Sequence, residues 1–179
     1  AFWGHIGMLE EVSRRLDSLS HIVVDRFQLK CRPMDTRRFN EEINTFLDIY
    51  NRSLVSTWGF VPMSPGEVKK QAAGMKHMIV PELTTFGEIE GKTVGTMFCL
   101  LDYNPRIKEM DGRLFPFGFL KLLRKRKELK RVRLISTNVL PEYQSWGLGI
   151  ALVSRLVPDA LAWGIEEAEF SWVLESNDL

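Results

Sequence analysis

The segment Gln144-Ser-Trp-Gly-Leu-Gly149 constrains this chain more than any other, because an apolar run ending Asn138-Val-Leu-Pro141 precedes it and a helical pattern opens at Ile150. Strand, glycine-bearing turn and helix together make a seat for an anion. The first N–H groups of a helix lack intrahelical acceptors and lie at the positive end of its dipole, so a phosphate group completes them. Gly147 and Gly149 have no Cβ, which permits unusual dihedrals and close approach of a bulky ligand. The loop has no basic residue, so anchorage falls to backbone amides, each charge-assisted bond contributing about 1.5–3 kcal/mol. A Walker loop would end in Gly-Lys-Ser/Thr, and a dinucleotide fingerprint would place Gly first with an acidic residue about 20 positions on. Here Gln144 is first, and Gly147-Leu-Gly149-Ile-Ala-Leu contains no lysine. The plain alternative is a tight turn into a packed helix.

The order of elements on both sides points to an α/β domain. Downstream, Ile150, Leu152, Val153, Leu156, Leu161 and Trp163 recur at helical spacing, with Pro158 expected to kink or divide the helix. After Gly164, Ala168–Leu174 reads as a strand, and Glu175-Ser-Asn177-Asp178 suits the start of another helix. Upstream, Phe27–Arg32 is predicted as a first strand ended by Pro33, and Asp35 as the N-cap of a helix through Phe39, Ile43, Phe46, Leu47 and Tyr50. Ser64-Pro-Gly-Glu67 has the form of a capping box with proline at the first helical position, opening a helix to His77 with Pro81 as a stop. Thr85–Glu90 and Lys92–Leu101 read as strands joined at Glu90-Gly91-Lys92. The order is β-α-α-β-β, a longer insertion, then β-α-β.

Gln144-x-x-Gly147-x-Gly149 after a strand resembles the acyl-CoA pyrophosphate loop of the GNAT superfamily of N-acetyltransferases. Ile49-Tyr-Asn51, Trp58-Gly-Phe-Val-Pro-Met63, Leu101-Asp-Tyr-Asn104, Gly112-Arg-Leu-Phe-Pro-Phe-Gly118, Val139-Leu-Pro-Glu-Tyr143 and Glu169–Asn177 together are similar to a bacterial GNAT-related group. Members of that group look like tandem proteins in which a domain like this one follows another. The resemblance runs from Arg26 to Leu179 and implies a GNAT (acyl-CoA N-acyltransferase) fold: a mixed central sheet with a β-bulge or splay, and flanking helices. It further implies that residues 1–25 are a helical linker or the tail of a preceding domain and 26–179 the GNAT-like domain. An independent N-terminal helix packed on the domain is the alternative. The superfamily continues past the equivalent of Leu179 with a helix and two strands, so its C-terminal elements, including the tyrosine that commonly protonates the thiolate, are expected to be absent here.

The ligand implied by this resemblance is acetyl-CoA or another acyl-CoA. The implied contacts are Val139, Leu140, Gln144, Ser145, Trp146, Gly147, Leu148, Gly149, Ile150 and Asn177, with Trp146 standing where the family often has a basic residue. An amine then attacks the thioester directly. A lysine-like amine must be deprotonated at a cost of about 4–5 kcal/mol at pH 7, an α-amino group at about 1–2 kcal/mol. Glu142, beside the loop, and Glu175, at the end of the last strand, are the candidate bases; their alternatives are orienting the turn and capping or pairing, respectively. Polarisation of the carbonyl is expected from backbone N–H groups near Asn138–Leu140, where the strands splay. Trp58, Phe60, Tyr103 and Asn104 are the candidate acceptor pocket, with core packing or loop anchoring as the alternative for each. The expected activity is acyl transfer, acetyl in the first instance, to the primary amine of a small or amino-acid-like acceptor. The alternatives are a non-catalytic acyl-CoA-binding or structural module, and an acyltransferase using an acyl-carrier protein or a lipid.

Composition bounds the rest. At 179 residues, 45% hydrophobic and net charge +1, the chain reads as one soluble domain with no membrane span, and the lack of a signal-peptide pattern makes it cytoplasmic in expectation. Cys31 and Cys99 are expected as reduced thiols in strands, and His5, His21 and His77 lack metal-ligand spacing. Lys121–Arg133 carries eight cations against Glu128 alone. It reads as a connector with a solvated basic face, as a dock for the adenosine phosphates or an acidic partner, or, with the apolar Leu114–Leu123 before it, as a surface for a membrane or a lipid-like substrate; nucleic acid is not expected, and a homodimer is an open alternative for assembly.

Overall fold

The computed structural model describes residues 2–111, 113 and 118–170. In chain order the elements are β1 (Phe2–His5), α1 (Ile6–Phe27), β2 (Lys30–Pro33), α2 (Phe39–Ser53), α3 (Pro65–Met75), β3 (Thr84–Ile89), β4 (Lys92–Leu101), α4 (Asn104–Glu109), α5 (Gly118–Leu123), β5 (Arg131–Val139), α6 (Leu148–Trp163) and β6 (Glu167–Phe170). The strands form one six-stranded sheet in the order β1-β6-β5-β4-β3-β2, with β5 and β6 parallel and every other pair antiparallel.

Local chemistry accounts for the joints. Glu90 and Gly91 both adopt positive φ, 51° and 76°, the two-residue turn whose hand matches the twist of β3 and β4. Asp35 accepts from Arg37 N–H and opens a short 3-10 turn that leads into α2. Ser64 and Glu67 close a full capping box at α3. That helix stops at Met75, short of His77, because the Met75 carbonyl takes the N–H groups of both Met78 and Ile79.

α6 packs on one sheet face through Leu152, Leu156 and Ala160 against Met97, Leu101 and Val132. Contact is close because Gly87 and Gly95 leave room: a Cβ at either would lie 3.0 or 3.2 Å from a Leu152 methyl. On the other face Met34, Phe39, Ala72, Ile79 and Phe86 form a second apolar cluster beneath α2 and α3.

Three expectations shift. The first strand begins at Lys30 rather than Phe27, because Val23, Val24 and Phe27 pack beside Leu148 and Ala151 and keep α1 helical until Gln28, at φ 52°, ends it. Pro33 lies inside β2, which tolerates it because β2 is the sheet edge. Pro158 does not divide α6, which runs on to Trp163. The N-terminal segment joins the sheet: β1 pairs with β6, and Asp17 of α1 accepts a hydrogen bond from the Ser154 hydroxyl of α6. Residues 171–174 of the last predicted strand lie outside the described residues. No helix among the described residues is long and apolar enough to cross a membrane.

Candidate functional site

β5 delivers the chain through Leu140 into a 3-10 turn, Pro141–Trp146, and then into α6. Gly147, at φ 75°, is the junction, and an L side chain there would be strained and would meet Val23 at 3.4 Å. Gly149 is helical, and a Cβ added there would meet only the Thr137 methyl, in ordinary contact at 3.8 Å. α6 begins with no side-chain cap and no acidic residue in its first turn. Ile150 N–H reaches the Gly147 carbonyl at 3.0 Å, which leaves the amides of Leu148 and Gly149 for an outside acceptor.

The side chains of this loop have other work. Trp146 stacks on Phe27 at 4.2 Å with Tyr143 edge-on at 4.8 Å, so the ring that replaces a basic residue is held against α1. The Gln144 carboxamide donates to the Val139 carbonyl at 3.0 Å and to the Ser53 carbonyl at 3.2 Å, tying the loop to the end of α2. Ser145 is exposed, and the Leu148 side chain is buried in the core.

Backbone polarity is placed by the edge of β5. Pairing with β6 covers Arg131–Leu134, and a register shift opposite Phe98 and Cys99 makes Ile135 a bulge. Beyond it β5 has no neighbour on that side among the described residues. Leu140 N–H is committed to the Val94 carbonyl at 2.9 Å. Alternation along the strand therefore turns the backbone N–H groups of Val139 and Thr137 to the side away from β4. Of the predicted Asn138–Leu140, Leu140 cannot offer its amide. Asn138 is buried, donating to the Ser136 hydroxyl at 3.1 Å and accepting from the Ser53 hydroxyl at 3.3 Å.

Beside this edge lies a cavity of about 640 Å³ between α2, α3 and the sheet. Phe46 and Tyr50 of α2, Met75 of α3 and Phe98 of β4 give it an apolar wall, and Ile135–Asn138 form the end next to the loop. Thr84, Phe98 and Ser136 stand in one cross-strand row on this face. Leu54, Thr57 and Met63, from the connection between α2 and α3, line the cavity and are half-exposed. No carboxylate or imidazole lines it among the described residues.

The predicted acceptor residues are scattered. Trp58 is 98% exposed and outside the cavity lining. Phe60 packs against Tyr50 at 5.7 Å, one step removed from the wall. Tyr103 is buried with its hydroxyl on the Met78 carbonyl at 3.1 Å, and burial pushes its ionisation upward. Asn104 begins α4 and does not line the cavity. Glu142 is half-exposed and paired with Arg52 at 3.2 Å. Glu175 and Asn177 lie outside the described residues. The true lining residues read in sequence as core, since apolar helix faces look alike whether they enclose a cavity or fill one.

Half of the cations in the basic run are paired with carboxylates among the described residues. Lys125 pairs with Glu128, Lys130 with Glu166, Arg131 with Glu167 and Asp102, and Arg133 with Glu169, so most of the compensating acids come from residues distant in sequence. Lys127 sits over the Trp163 ring at 3.7 Å, and Leu122 and Leu129 are core residues. Cys31 and Cys99 are free thiols; burial raises Cys31 to about 11, against the opposing Arg155, and raises Cys99 further.

A mixed sheet with a bulged strand that feeds a glycine turn and an uncapped helix is the GNAT fold. The fold is shared with an aminoglycoside acetyltransferase from an uncultured soil metagenomic sample, solved in complex with sisomicin, at a TM-score of 0.53 and 13% identity over 87% of this chain and 83% of that one. No protein-family model matches the chain. Among curated proteins it is 32% identical to the bacterial ceramide synthase of Caulobacter vibrioides over 152 residues, 82% of this chain and 40% of that protein. It is 28% identical to protein YghO of Escherichia coli over 158 residues, 85% of this chain and 40% of that protein. The chain thus spans about two fifths of the length of the curated relatives it matches.

Proposed function

We propose that this chain carries the acyl-CoA site and the acceptor cavity of an N-acyltransferase. The observation that supports it most is the conjunction of an uncapped helix start at Gly147, backbone groups of Thr137 and Val139 turned away from β4, and a large cavity lined by the same strand. In this reading the donor's pyrophosphate takes the amides of Leu148 and Gly149, and its thioester lies along β5. The acceptor nitrogen forms its bond to the carbonyl carbon, the C–S bond breaks, and the amine's proton ends on the solvent or the departing thiolate. The N–H of Thr137 or Val139 holds the charge that develops on oxygen. Glu142 is held by Arg52, which leaves Glu175 as the sequence candidate for a base. The same reading places the chain after a second GNAT-like unit in a longer protein, with the N-terminal strand and helix packed on the present domain.

The cavity favours one acceptor class over the small amines first expected. Its wall is apolar, and its volume of about 640 Å³ lies within the roughly 300–1,000 Å³ range of ligand pockets. A long-chain amine fits that chemistry, as does the name ceramide synthase on one relative, a ceramide being the N-acyl amide of a long-chain base. Calorimetric titration with acetyl-CoA and palmitoyl-CoA, wild type against Gly147→Glu, tests the donor site. Thiol release with sphinganine then tests the acceptor. Binding lost in the variant and release that depends on the long-chain amine are expected. A folded wild type that binds neither thioester overturns the proposal.

A further inference from the structure

The connection between α2 and α3 is ordered yet presents its apolar residues outward. Val55 is 68%, Trp58 98% and Val61 79% exposed, within seven consecutive residues. Two successive turn bonds, Thr57 N–H to Leu54 and Phe60 N–H to Thr57, build the loop, and Gly59 turns it at φ 73°. Asn51 clamps its far end, donating to the Met63 carbonyl at 2.9 Å and accepting from Met63 N–H at 3.0 Å. Phe60 packs inward on Tyr50. The backbone is thus fixed while an indole and two valines face outward, a cost in water that nothing else in the described structure offsets.

We propose that this loop docks on an anionic lipid bilayer, with Trp58 seated at the interface and Val55 and Val61 beside it. Indole suits the headgroup boundary, where its ring is apolar and its N–H wet. The charge agrees: α3 follows directly with Lys69 and Lys70 exposed and in no ion pair among the described residues, two cations against the one nearby Glu67 carboxylate, which Ser64 holds in the capping box. A second protein copy fits less well, because one indole and two valines fall well short of the roughly 800 Å² per partner of a stable interface. The inner side of the same loop supplies Leu54, Thr57 and Met63 to the cavity wall. A lipid amine leaving the bilayer at Trp58 therefore passes into the cavity over apolar side chains. This deepens the acyltransferase reading by naming the phase from which the acceptor is drawn, and it rests on that reading for the acceptor alone.

The test uses the full chain with vesicles of phosphatidylcholine containing a minority of phosphatidylglycerol, with and without brominated acyl chains, and no thioester. Wild type is expected to co-sediment and to lose part of its tryptophan fluorescence to the brominated lipid; Trp58→Phe is expected to bind and lose that quenched component. Val55→Ser/Trp58→Ser/Val61→Ser, with its circular dichroism unchanged, is expected to bind on the order of tenfold more weakly. Lys69→Gln/Lys70→Gln is expected to weaken binding to anionic vesicles and not to pure phosphatidylcholine. Wild type that stays in the supernatant, quenching that survives Trp58→Phe, or a triple variant that binds as wild type overturns the docking. None of these outcomes depends on acyl transfer, so either proposal can fail while the other stands.

Discussion

Gly147 and Gly149 share a motif and do different physical work, which separates stability from binding at single residues. Gly147→Ala puts a Cβ on a left-handed backbone, and is expected to cost about 1–2 kcal/mol in denaturant unfolding and to weaken acyl-CoA binding. Gly149→Ala sits in a helix with open space around it, so it is expected to raise stability by about 0.5–1 kcal/mol while still weakening the donor, whose phosphates need that space. Equal affinity for acyl-CoA in Gly149→Ala and wild type would remove the phosphate from this helix end. Cys31 gives a pH prediction. Its folded thiol ionises near 11 rather than the ordinary 9.0, so the folded protein holds this proton longer than the unfolded chain does. The stability it contributes is present below pH 9 and is lost as the pH rises toward 11. Thermal melts across that interval should show a decline that Cys31→Val makes shallower, and at pH 8 Cys31 should alkylate much more slowly than a free thiol.

Among the elements, β2 is an edge strand four residues long, held in place by a charge buried next to it. Arg32 binds both oxygens of Glu42 at 2.9 Å and Glu88 at 2.7 Å, and Glu42 is only 3% exposed. Removing the cation strands a buried carboxylate, so Arg32→Ala is expected to cost about 3–5 kcal/mol, and Arg32→Met/Glu42→Leu to recover most of it in the same urea titration. Most elements were legible in sequence wherever a local signal fixed them, as the capping box at Ser64 and the Glu90-Gly91 turn show. The start of β2 was not, because Phe27 and Leu29 alternate like a strand while the contacts that keep Phe27 helical come from α6 and Trp146, more than a hundred residues away. The glycine turn into α6 was legible because glycine conformations are local. The cavity was not, since it exists only when α2 and α3 arch over β5. Nor could the sequence show that the acids of β6 would pair with Arg131 and Arg133 of the basic run.

At the scale of the whole molecule, the N-terminal strand and helix are integral to the packing. β1 forms the sheet edge beside β6, and α1 lays Val23, Val24 and Phe27 on the cluster that floors the glycine turn. A variant starting at Arg26, the boundary the sequence suggests, is expected to melt at a lower temperature and to bind the dye ANS, reporting exposed apolar surface. An unchanged melt would make residues 1–25 a true linker. The Gln144 carboxamide has a wider consequence, since it fastens the loop to the last carbonyl of a helix that walls the cavity. Loop and helix then respond as one piece, and linkage makes any benefit between their ligands mutual. Saturating thioester should lower the amine's dissociation constant by the same factor as the amine lowers the thioester's, and Gln144→Ala should leave each ligand indifferent to the other.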